Sequence, residues 1–238
     1  MAEDIKKAKK EIKREVKILY EDNHLIFVEK PPNMPVQGDS SGDFDLLSAV
    51  KAYIKEKHGK PGEAYIGMVH RLDRPVGGAM VFCRTSKAAA RVSQQIRLGN
   101  MDKIYLAVVQ GLCEGGKTLK DYLKKDPKLN MVHICPESDE GAKYAELSYE
   151  AISSAESSEG ALTLVKVRLV TGRSHQIRVQ MKGAGLPLWG DSRYGGGKPG
   201  QQIALWSNEI SLTHPTTKER INVLCPPPKI NPWSLFVI

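Results

Sequence analysis

Short apolar segments recur along this chain, and turn-forming residues interrupt most of them before a helical period can complete. Ile18-Leu19-Tyr20 and Leu25-Ile26-Phe27-Val28 flank Glu21-Asp22-Asn23, which predicts two short strands around a turn. Pro31, Pro32 and Pro35 then break the ladder and open a loop. Residues 65–69 and 79–83 read as strands entering and leaving a loop around Asp73, and 104–109 as an apolar strand ending at Gly111. Residues 145–152 and 162–170 make two further strands joined by a Ser/Glu/Gly turn. Two more, near 203–212 and 221–224, lead into a proline-rich tail. Between them, residues 115–140 are polar and irregular and support only short strands.

Three segments carry helical spacing instead. Leu46, Leu47, Val50, Tyr53 and Ile54 form one apolar face, with Asp43 or Asp45 as the cap and Gly59 with Pro61 as the stop. Thr85 or Ser86 caps a second helix that Gly99 ends near Leu98. The turn Thr171-Gly172-Arg173 precedes a third, over 175–182, stopped by Gly183 and Gly185. Strands outnumber helices and follow one another without βαβ alternation, so the expected class is α+β on a mixed, largely antiparallel sheet. No repeat or linker divides the chain. The expectation is a basic N-terminal segment over 1–17, with Ile5, Ile12 and Val16 as a weak helical stripe, and one domain over 18–238.

Composition narrows the partners. The sequence has 35 Lys and Arg against 27 Asp and Glu, a net charge of +8, which suits a polyanion such as nucleic acid. Cys83, Cys113, Cys135 and Cys225 form no CxxC pair, which argues against a zinc site or a disulfide framework. No apolar run is long enough to span a bilayer and no apolar signal core follows the N-terminus, so no membrane role and a cytoplasmic location are expected.

Two stretches carry candidate chemistry. In His70-Arg71-Leu72-Asp73-Arg74-Pro75-Val76-Gly77-Gly78, a carboxylate sits between two arginines ahead of a proline and a glycine pair. That suits a tight loop with an ionised Asp73. Charge pattern alone favours an ion pair decorating a surface loop. In Gly172-Arg173-Ser174-His175-Gln176-Ile177-Arg178, Ser174 and Arg178 are a helical turn apart, so Arg178 can point back toward the free N–H groups of the first turn. A capped helix with solvated basic residues fits equally.

Together these two blocks resemble the signature blocks of the RluA-type pseudouridine synthases. Three further stretches agree in order. Residues 21–31 resemble the family's opening hairpin and Lys103-Ile104-Tyr105-Leu106-Ala107-Val108-Val109-Gln110-Gly111 its tyrosine strand. Gly190-Asp191-Ser192-Arg193-Tyr194-Gly195 and His214-Pro215 resemble its C-terminal landmarks. The similarity runs from about residue 18 to 228. Val76-Gly77 stands where the family usually has Ser or Thr, and Trp206 where a histidine-containing stretch is expected. Residues 1–17 are too short for the S4-type RNA-binding module of many relatives.

The resemblance implies a pseudouridine synthase fold with flanking helices and a central RNA-binding cleft. It also implies conversion of uridines in rRNA or tRNA to pseudouridine by one carboxylate, with no metal and no cofactor; as a compact single-domain enzyme the chain is expected to be a monomer. It makes Asp73 catalytic, pairs Arg178 with it, and stacks Tyr105 on the uracil. Arg71 would occupy the space of the extruded base, and Arg74, Arg173 and His175 would contact RNA. Two other readings stay open. One is a non-catalytic RNA-binding or ribosome-assembly protein on the same fold. The other is a metal-dependent enzyme using His70, Asp73 and His175.

Overall fold

The computed structural model describes residues 16–59, 62–195 and 197–238. Most of the proposed N-terminal stripe, Ile5 and Ile12 included, and the Pro61 stop lie outside the described residues. The described residues fall into two compact units. One runs up to Met101 and resumes over Ile210–Cys225; the other takes Asp102–Glu209 and Pro226–Ile238.

In the first unit, β1 (Ile18–Glu21) pairs antiparallel with β2 (Leu25–Lys30), the hairpin the sequence predicts. The turn between them is held by Asp22, whose Oδ1 accepts the N–H groups of His24 and Leu25, both at 2.7 Å. Helix α1 (Leu46–His58) starts at Asp45, whose Oδ1 accepts from the Ser48 N–H at 2.9 Å, and ends at Gly59 in the left-handed region. It buries Leu46, Ala49, Val50 and Ile54, and Lys55, Lys57 and His58 sit at the negative end of its dipole. The strand expected over 65–69 shrinks to β3 (Gly67–Met68), with Tyr65 outside it and 51% exposed.

Strand β4 (Gly77–Cys83) is buried throughout and pairs antiparallel with β2, from Leu25 opposite Cys83 to Lys30 opposite Gly78. A strand covered on both faces reads as a continuous apolar run, as 79–83 does. Gly78 has φ +112°, a conformation that side chains resist, and it sits where β4 leaves the Asp73 loop. Helix α2 (Ser86–Arg97) is capped by Thr85, which accepts from the Ala88 N–H.

The second unit holds the antiparallel run β5-β9-β8-β6-β7: β5 (Asp102–Gln110), β6 (Gly116–Asp126), β7 (Met131–Cys135), β8 (Lys143–Ser157) and β9 (Gly160–Leu169). The polar stretch 115–140 is therefore not irregular: it forms the β6–β7 hairpin and continues the sheet. On β6 only Leu119 and Leu123 are buried, so its alternation is too thin to stand out from polar loop sequence. A bulge in β8 between Ala151 and Ser153 leaves Ile152 exposed.

Helix α3 (Gln176–Gly183) lies on this sheet through Val179, which packs with Leu123, Val132, Ala145 and Tyr194. Strand β10 (Leu205–Thr213) begins in the second unit and ends in the first, where β11 (Arg220–Leu224) pairs with it. The class is α+β, as expected. No helix among the described residues is long and apolar enough to cross a membrane.

Candidate active site

The Asp73 loop is built around a buried cation. Lys30, at the end of β2, has no solvent exposure, and its Nζ donates to the carbonyls of Pro31 (2.9 Å), Arg74 (2.9 Å) and Val76 (2.8 Å). Three N–H donors meet three acceptors, so the ammonium satisfies itself entirely on backbone. Burial pushes Lys30 down to about 7; the Asp73 charge works against that shift and the Arg74 charge adds to it. The loop closes further through the Val76 N–H, which donates to the Asp73 carbonyl at 3.0 Å. The Asp73 carboxylate accepts from the Arg74 N–H at 2.8 Å. A carboxylate on a loop held this way is fixed in position before any substrate arrives. Sequence reasoning missed Lys30; the only signal was a lysine ending an apolar strand directly before Pro31-Pro32.

The two arginines of this loop have different fates. Arg71 is exposed and makes no hydrogen bond or ion pair with other described residues. Arg74 is engaged on the protein: its guanidinium donates to the Asn33 carbonyl at 3.2 Å, to Ser41 at 3.0 Å, and to the carboxylates of Asp39 and Asp43. His70 is also committed, its Nε2 accepting from the Val81 N–H at 3.1 Å.

In the second unit, Tyr105 lies in β5 at 6% exposure, opposite Val167 of β9. Burial pushes its phenol up to about 12, with a hydrogen bond to Ser207 pulling the other way, so the hydroxyl keeps its proton at neutral pH. The helix that follows β9 begins unusually. His175 stands at its N-terminus with φ +51° and gives no side-chain cap. Instead its Nδ1 meets the Tyr194 hydroxyl at 2.8 Å, and that hydroxyl also accepts from the Val132 N–H at 2.9 Å.

Arg178 is buried at 6% exposure and grips Asp191, itself at 1%, through Nε (2.8 Å) and Nη2 (2.6 Å). Its guanidinium carbon stands 5.0 Å from the Tyr194 ring centre. The Asp191 Oδ1 also accepts the N–H groups of Arg193 and Tyr194. Asp191 was visible in the sequence only as a landmark; in the fold its carboxylate satisfies and aims a buried guanidinium. Arg173 is exposed, its Nε donating to the Tyr144 carbonyl at 2.8 Å. Trp206, at the unexpected position in β10, is buried. No group of three His, Cys, Asp or Glu side chains able to hold a metal occurs among the described residues.

Comparison with known proteins identifies the family. A family model described as RNA pseudouridylate synthase matches residues 24–182. The "Uncharacterized RNA pseudouridine synthase YhcT" of Bacillus subtilis is 32% identical over 217 residues, covering 90% of this chain and 69% of that protein. "Ribosomal large subunit pseudouridine synthase C" of Escherichia coli is 31% identical over 220 residues, covering 88% of this chain and 66% of that protein. The chain thus spans about two thirds of the length of these relatives. Among solved structures, "Human RNA Pseudouridylate Synthase Domain Containing 4" matches with a TM-score of 0.73 at 20% identity, covering 93% of this chain and 92% of the other. "Human RNA Pseudouridylate Synthase Domain Containing 1" gives 0.72 at 21%, with 94% and 87% covered. Matched by sequence over most of its length and by fold to solved members, the chain belongs to the RNA pseudouridine synthase family of isomerases.

Proposed function

We propose that this protein converts specific uridines of structured RNA, ribosomal RNA foremost, to pseudouridine, with Asp73 as the catalytic carboxylate and residues 18–238 as the catalytic domain. The observation that carries this reading is the buried Lys30 ammonium. Burying a lysine head group fully is costly, and two of its three bonds serve the turn that follows Asp73. A decorative surface carboxylate would have no use for such an anchor. The large-subunit ribosomal relatives favour rRNA over tRNA as the substrate class.

In the reaction the C1′–N1 bond of uridine breaks, the uracil turns, and C5 bonds to C1′ while the C5 proton is lost and N1 gains one. Atoms balance without a co-reactant. Glycoside hydrolysis places a second carboxylate to activate water; here water must be kept out and the base retained, so one carboxylate suffices. Asp73 either attacks C1′ or removes a proton from the sugar. The buried, protonated Tyr105 offers a ring to stack on uracil and a hydroxyl to relay a proton. Arg178 belongs to the same catalytic set, its guanidinium held in one plane by the two bonds to Asp191.

Extruding a uridine from a stack costs a few kcal/mol. Arg71, exposed and without partners among the described residues, is suited to fill the vacated space. Arg173 and His175 stand on the loop before α3 as RNA contacts. Arg74, half-exposed while its guanidinium bonds Asp39, Ser41 and Asp43, is a further RNA contact beside the Asp73 loop. The test is to incubate the protein with unmodified rRNA and tRNA transcripts and map pseudouridine. Product at defined rRNA positions supports the reading; every uridine unchanged in both pools overturns it.

A further inference from the structure

Strand β5 carries a second polar residue on the Tyr105 face. Side chains alternate along a strand, so Lys103 and Tyr105 point to the same side of the sheet. Lys103 is partly buried, and among the described residues it has neither a hydrogen bond nor an ion pair. Its neighbour Asp102 points to the other side, where it binds Arg168 at 2.6 Å. The Lys103 Nζ lies beside Gly172: a Cβ added there would stand 3.5 Å from it. Gly172 belongs to the loop that leads into α3, and that loop is rigidly tied. The Gln176 Oε1 accepts from the Thr171 hydroxyl at 2.8 Å and from the Arg173 N–H at 2.9 Å. The ammonium therefore lies beside the one glycine of a tied loop within the signature block. Burial also pulls its pKa below the ordinary lysine value.

A half-desolvated cation with no counter-charge is unfavourable in the free protein unless a partner brings the negative charge. Salt-bridged lysines elsewhere in the chain, such as Lys17 with Glu29 and Lys57 with Glu21, lack this feature. The substrate of the proposed reaction is a polyanion, and a compact point charge beside a glycine suits a phosphate oxygen better than a base edge.

We propose that Lys103 is a positioning residue that binds a backbone phosphate at the nucleotide being modified, so that the uracil is delivered to the Tyr105 ring. This rests on the reading of Tyr105 given above. Lys103→Met keeps the aliphatic stem and removes the charge. With an unmodified large-subunit rRNA transcript as the probe, the variant should raise KM roughly tenfold with kcat nearly unchanged. It should also lower the slope of log affinity against log salt by about one. Lys103→Arg should retain both quantities, and Lys103→Gln gives the same readouts if Lys103→Met does not fold. A salt slope and KM equal to wild type would overturn the proposal, as would a loss confined to kcat. If wild type forms no pseudouridine, the catalytic reading fails, while the salt slope still decides whether Lys103 meets phosphate.

Discussion

Arg178 of α3 and Asp191, in the turns that follow that helix, form a buried pair joined by two hydrogen bonds of 2.8 and 2.6 Å. Neither side chain has water to fall back on. The geometry matters as much as the charge, because two parallel bonds fix the plane of the guanidinium. Asp191→Asn should therefore cost roughly 3–5 kcal/mol of stability by stranding a buried cation. Arg178→Lys should keep the charge and lose the fork, lowering kcat on the order of 10²-fold with a smaller change in stability. Denaturant unfolding and steady-state kinetics check the two.

Lys30→Met should strand the carbonyls of Arg74 and Val76, at about 3 kcal/mol in total. Because those carbonyls belong to the turn after Asp73, kcat should fall while RNA affinity holds. Unfolding curves and RNA titrations on the same preparation measure both.

How far these features were legible in the sequence depends on how local their causes are. The β1–β2 hairpin, the Asp45 and Thr85 caps and the buried run of β4 could be read directly, because each depends on neighbours within a few residues. Asp73, Tyr105 and Arg178 stood out only as members of a family pattern. Lys30 was not singled out: two of its three acceptors lie 44 and 46 residues away, and a lysine closing an apolar strand before Pro31 announces neither. The β6–β7 hairpin was obscured for a different reason, since one face of β6 offers the core only Leu119 and Leu123.

Tyr105→Phe should lower kcat and leave KM within about threefold, since the ring still stacks and only the hydroxyl is gone. With the phenol pushed up to about 12, the wild-type pH–rate profile should show no step from Tyr105 below about pH 11. An alkaline limb that disappears in Tyr105→Phe at lower pH would contradict this assignment.

Glu21 governs acid stability in the first unit. Burial works to raise its carboxyl, but hydrogen bonds from Lys57, His58 and Tyr53 outweigh it and hold it at about 2, against 4.5 ordinarily. A depressed carboxylate contributes stability that is full above its unfolded pKa and is lost as pH falls through the folded one. The wild type should therefore lose stability between about pH 4.5 and 2, and Glu21→Gln should be less stable at neutral pH with a flatter acid limb. Thermal melts across pH 2 to 7 test the sign.

The most direct measurement compares wild type with Asp73→Asn on unmodified large-subunit rRNA, following both RNA binding and pseudouridine formation. Wild type should form pseudouridine at discrete positions, whereas Asp73→Asn should bind the RNA with affinity close to wild type yet form none. Pseudouridine formed by Asp73→Asn at a rate near wild type would contradict it.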